Sequence, residues 1–104
     1  MSTKRKSETM KLLEQISGEG LSFGNFLEAI RSGEDTSQVD FAKQLGISRS
    51  HLCDIEKGRK SVSAARAADF AHVLGYSEAQ FVRLALQDEV EKAGLHLKVK
   101  VEVA

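Results

Sequence analysis

Few side chains in this sequence have the chemistry for a reaction: one cysteine, Cys53, and three histidines, His51, His72 and His96. A lone cysteine excludes an internal disulfide. The histidines share no metal-ligand spacing, and His51 and Cys53, two apart on a helix, point in different directions, so no metal site is expected. Cys53, one residue from an inward Leu52, reads as a small packing residue. There is no Gly-rich phosphate loop, no Gly-x-Ser-x-Gly elbow and no His-Glu-x-x-His. The titratable residues form no acid, base and nucleophile set, so neither an enzyme nor a cofactor is expected. The chemistry left is that of charge.

Lys and Arg number 15 against 15 Asp and Glu, a balance that as a total is ill suited to phosphates. Its distribution is uneven. Residues 1–7 carry +3 from Lys4, Arg5 and Lys6, residues 8–40 carry −5, residues 41–72 carry +3, and the rest −1. A basic centre behind an acidic front half gives one face suited to phosphates, although charge alone leaves ordinary solvated faces as an equal reading. The first three basic residues read as a solubilising tail rather than an arm that reaches DNA.

The 104 residues make one small domain, and with 6% aromatics the core is expected to be mostly aliphatic and to gain from oligomerisation. No apolar run is long enough for a membrane span or a secretory signal, so a cytoplasmic address is expected. Five serines, each just before an apolar run at helical spacing, mark helix starts, because a hydroxyl satisfies a free N–H there. Ser22 opens a helix ending at Gly33, Ser37 one ending at Gly46, and Ser48 one stopped by Gly58. Ser63 opens Ala64 to about Leu74, with Gly75 after it, and Ser77 opens a helix to about Lys92, stopped by Gly94. Thr9–Ile16 suits a short amphipathic helix, so residues 1–21 read as a tail and helix, and 22–93 as the domain. In residues 94–104 the period changes. Leu95, Leu97, Val99, Val101 and Val103 alternate with His96, Lys98, Lys100 and Glu102, the pattern of a half-buried strand. With no second strand-like run, its partner must come from another molecule.

The second and third helices are joined by a few residues around Gly46, with Ala42 small at the crossing and Phe41, Leu45, Ile47, Leu52 and Ile55 as the buried set. That spacing suits a helix-turn-helix, whose second helix enters the DNA major groove. The run SQVDFAKQLGISRSHLCDIEKGRK over residues 37–60 resembles the Xre or Cro/C1-type helix-turn-helix family of phage repressors and small bacterial regulators. The resemblance covers about residues 22–92. It implies an all-α, five-helix lambda-repressor-like domain, here with a short N-terminal helix and a C-terminal β-strand appended.

The resemblance also implies roles. Gln38 and Ser48 would contact phosphates, and Arg49, Ser50, His51 and Asp54 would face base edges. Arg49 suits guanine O6 and N7, a contact worth about 1 to 3 kcal/mol of discrimination. Asp54 would accept from cytosine N4, orient Arg49, or repel wrong sites. Lys57, Arg59 and Lys60 would grip the backbone. Glu56, of the wrong sign for DNA, would form a structural ion pair with Arg31.

One recognition helix covers few base pairs, so a homodimer on a palindromic operator in double-stranded DNA is expected. The fifth helix is apolar around much of its circumference, with Leu86 and Val90 as interface residues, while Leu97, Val99 and Val101 on the strand serve the dimer or a partner. A domain of this kind with an orphan strand resembles antitoxins of the HigA and HipB style, which bind a toxin and repress their own promoter. The strand would then add to a toxin's sheet edge, or pair with its own two-fold mate. The alternative role is a stand-alone repressor, phage-derived or metabolic, with no toxin.

Overall fold

A computed structural model describes residues 21–104. The helix expected over Thr9–Ile16 and the basic tail at Lys4–Lys6 lie outside them. Among the described residues there are five helices: α1 (Phe23–Gly33), α2 (Gln38–Leu45), α3 (Arg49–Glu56), α4 (Ala64–Leu74) and α5 (Glu78–Lys92).

Each begins at an expected serine. The hydroxyls of Ser22, Ser37, Ser48, Ser63 and Ser77 accept from the backbone N–H groups of Asn25, Asp40, His51, Arg66 and Gln80 at 3.0 to 3.2 Å. Such a cap is worth about 1 kcal/mol, which matters for α2 and α3, helices of 8 residues that would be marginal alone. Between them Gly46 takes φ 73°, the left-handed conformation the sharp turn requires.

The helices close on one core: Phe23, Phe26, Leu27 and Ile30 of α1, Phe41, Ala42 and Leu45 of α2, Leu52 and Ile55 of α3, and the inner faces of α4 and α5. All five phenylalanines lie in it. Phe26 and Phe81 meet edge to face at 5.1 Å, with Phe23 and Tyr76 each 5.9 Å from Phe81. Ile47, expected in the buried set, is half-buried against the core edge. Leu86 and Val90 are likewise half-buried within the single chain. Among the described residues no helix is long and apolar enough to cross a membrane.

The expected C-terminal β-strand is corrected. Residues 95–104 have no strand pairing, and the described residues contain no strand. A strand requires a ladder, and no other described segment pairs with this one to build it. The segment instead lies against α5, where the Gln87 amide holds it.

α5 also reaches the start of α1. Asp88 accepts from the Phe23 N–H at 2.9 Å, and burial raises its pKa, an effect the Phe23 bond only partly offsets. A carboxylate with its folded pKa raised stabilises the fold below the ordinary value near 4, and that contribution fades as pH climbs through the folded pKa. Asp88→Asn keeps an acceptor and removes the buried charge. In urea melts it is expected to match the parent at pH 4 and to exceed it at pH 7; a variant less stable at pH 7 would refute this account.

Candidate nucleic-acid interface

α3 is amphipathic in a way that fixes what it offers to solvent. Leu52, Ile55 and Glu56 point inward, while Arg49, Ser50, Cys53, Asp54 and, just past the helix end, Lys57 form the outward stripe, with His51 at its side. Cys53 is therefore corrected from a packing residue to a half-buried member of this stripe, where its sulfur accepts from Arg59 at 3.6 Å. Its spacing of one from Leu52 turns it about 100° away from the core.

Besides the buried Leu52 and Ile55, two contacts hold α3 against the domain. The first is a close backbone approach. Gly24 on α1 lies under the end of α3, where an added Cβ would collide with the Ile55 carbonyl oxygen and crowd that of Glu56. The second is an ion pair. The Glu56 carboxylate, fully buried, accepts from Arg31 Nε at 2.8 Å and Arg31 Nη2 at 3.1 Å. Arg31 Nη1 also donates to the Thr36 carbonyl at 3.0 Å, and the Glu56 bonds raise the Arg31 pKa further above its ordinary value. The pair places Arg31 and Glu56 as the resemblance implied, in the core's edge and away from the outward stripe.

Glu56 carries this order outward. Gln38 Nε2 donates to Glu56 Oε1 at 2.9 Å, and Gln38 Oε1 accepts from Arg49 Nη1 at 3.2 Å. The Gln38 amide is thus engaged at both ends, and an exposed guanidinium is tied through it to a buried carboxylate. Ser48 is likewise occupied, its hydroxyl capping α3.

Beyond α3 the chain folds back on the helix end, with the N–H groups of Arg59 and Lys60 donating to the Asp54 carbonyl at 2.8 and 3.2 Å. This brings Arg59 Nε to Asp54 Oδ1 at 2.8 Å and Lys60 Nζ to Oδ2 at 4.0 Å. The Arg59 hydrogen bond is the main reason the Asp54 carboxyl is held below its ordinary pKa. Arg59 and Lys60 are well exposed, so these pairs hold little energy and open readily. Lys92 of α5 donates to Ser61 Oγ at 2.8 Å and steadies the same loop.

Arg66 was missed in the sequence. It lies on the first turn of α4, with Nη1 3.5 Å from His51 Nε2, which extends the basic surface beyond α3. Its place three residues after Ser63 at the start of an otherwise alanine-rich helix was the available signal. Among the described residues no three His, Cys, Asp or Glu side chains gather as metal ligands would. Every buried side-chain nitrogen and oxygen there has a partner. The surface offers exposed donors along one helix and its flanks, groups of the kind that meet phosphates and base edges.

A family model described as a helix-turn-helix domain matches residues 22–84, from the cap of α1 to the middle of α5. No curated protein and no solved structure matches the chain.

Proposed function

Because the chain belongs to the helix-turn-helix domain family, we propose that it is a sequence-specific transcriptional repressor acting as a homodimer on a palindromic operator. The observation that carries this reading is Arg49, exposed on α3 yet aimed by Gln38 from the buried Glu56. A side chain that reads bases needs reach and a fixed starting direction, and this one has both. In the complex Arg49 bridges guanine O6 and N7, with Ser50 and His51 beside it. Asp54 either accepts from cytosine N4 or remains with Arg59. Lys57, Arg59, Lys60 and Arg66 meet phosphates, which gives affinity without sequence information. The protein acts by binding and has no catalytic step. Two copies set their α3 helices about 34 to 36 Å apart on successive major grooves of one DNA face.

Two substitutions test the division of labour. Arg49→Ala is expected to weaken operator binding about tenfold to a hundredfold and to relax preference at one base position. Lys60→Ala weakens operator and unrelated DNA alike and lowers the salt slope by about 1. Equal operator affinity after Arg49→Ala would remove Arg49 from the reading set.

The resemblance extends the proposal to an antitoxin that represses its own promoter and binds a cognate toxin, with a solitary repressor as the alternative. Copurification from the intact operon separates them. A neighbouring gene product that elutes with the repressor assigns the antitoxin role, and a repressor that elutes alone and still binds its upstream region assigns the solitary one.

A further inference from the structure

The start of α1, the end of α3, the loop after it and α5 enclose a half-open pocket of about 230 Å³. Its inner wall is apolar: Phe23 and Gly24 of α1, Ile55 of α3 and Val62 of the loop, all buried. Asp88 of α5, half-buried, adds one carboxyl group to this wall, and its Oδ2 accepts from the Phe23 N–H at 2.9 Å. Its other oxygen, Oδ1, has no hydrogen-bond or ion-pair partner among the described residues. Every buried side-chain oxygen there does have one, so Oδ1 is open to whatever enters the pocket.

Charge decides what fits. Lys60, Glu91 and Lys92, all exposed, line the mouth. Both lysines are engaged elsewhere, Lys92 Nζ donating to Ser61 Oγ at 2.8 Å and Lys60 Nζ lying 4.0 Å from Asp54 Oδ2. Asp88 is therefore short of a cation. Burial is the chief cause that raises its pKa and Glu91 adds to it, while the Phe23 N–H and Lys92 offset this only in part. An anion finds no free donor at the start of α1, since the Phe23 N–H is given to Asp88 and the Asn25 N–H to Ser22. A positively charged donor satisfies the open oxygen and offsets the cost of burying its charge. The apolar wall calls for a hydrophobic body attached to that donor. A dry cavity of about 150 Å³ holds benzene, so this pocket has room for a ring and a short tail.

We propose that this pocket binds a small protonated primary amine carrying a compact apolar group. The ammonium donates to Asp88 Oδ1, and the apolar group lies on Phe23, Ile55 and Val62. Two sources share this chemistry: a free alkyl or arylalkyl amine, and an apolar amino acid whose carboxylate meets Lys60 or Lys92 at the mouth. The occupant sits beside Gly24 and Ile55, whose close approach seats α3. The site goes beyond the DNA-binding reading and is measured without DNA, so its failure leaves that reading standing.

The test titrates the full chain with phenethylamine by calorimetry and NMR. Saturable binding is expected with a Kd at or below about 1 mM. Amide shifts are expected at Phe23, Gly24, Ile55 and Val62, and none at Val39 or Val73, exposed on α2 and α4 and outside the pocket. Phenethyl alcohol keeps the apolar body and lacks the charge, and is expected to bind about tenfold more weakly. Asp88→Asn, expected above to be the more stable protein at pH 7, lowers the affinity for the amine about tenfold and leaves that for the alcohol unchanged. Phenylalanine binding more tightly than the amine assigns the amino-acid source, and weaker binding assigns the free amine. Absence of saturable binding, equal affinity for amine and alcohol, or parental affinity in Asp88→Asn overturns the site. Contacts from the chain's own residues 1–20 to Ile55 and Val62 in the ligand-free protein overturn it as well, by making that segment the occupant.

Discussion

Arg31→Ala is expected to cost about 3 to 5 kcal/mol of folding stability, because it strands the Glu56 carboxylate in a site with no access to water. A domain of this size has about 5 to 15 kcal/mol in total, so the variant melts far below the parent and is partly unfolded at ordinary temperatures. The loss belongs to the uncompensated charge and not to the value of the pair. Arg31→Met combined with Glu56→Leu is accordingly expected to recover most of it. Urea denaturation of the parent, the two single variants and the double variant closes the cycle. Should Arg31→Ala cost less than about 1 kcal/mol, Glu56 has another way to be neutralised. The double variant is expected to fold and yet to bind its operator poorly, since Gln38 has then lost the acceptor that sets its direction.

Gly24→Ala is the second large effect. The new methyl group has nowhere to go: it meets backbone at the end of α3, not the tip of a flexible side chain. Overpacking usually costs about 1 to 3 kcal/mol, and a clash with a helix backbone belongs at the upper end. α1 and α3 must separate or tilt, which shifts Arg49 and the loop after α3 together. Operator binding is therefore expected to fall more than stability does, by tenfold or more in a protein that remains folded at low temperature. Gel shift and thermal melting on one preparation compare the two. A variant with parental affinity would show that the α1–α3 contact does not set the height of α3.

The contrast between these two residues shows what a sequence discloses. The serine caps were legible because a cap is local, a hydroxyl acting three residues ahead. Gly46 was legible for the same reason. Gly24 was not, because the reason for it lies on a helix about thirty residues away and nothing in its neighbourhood demands a glycine. Arg31 and Glu56 were paired through a family resemblance, since 25 residues separate them and no spacing rule joins them. The Asp54–Arg59 pair escaped notice because it depends on the chain doubling back after Gly58. Cys53 follows Leu52 directly, and the turn of about 100° per residue carries it from the core face to the outward stripe. The alternation of residues 95–103 was read correctly as a pattern and incorrectly as a formed strand, because a strand is a property of two segments.

The double engagement of Gln38 constrains how this helix-turn-helix domain can diverge if it reads DNA as proposed. Arg49 and Ser50 are exposed and can be exchanged with little effect on folding, so a base preference of the proposed kind could drift through them by single substitutions. Position 38 has no such freedom. Any change there disturbs a buried carboxylate and an exposed guanidinium in one step, so under the proposed reading new specificities are expected to arise first at 49 and 50, with 38 altered only alongside them.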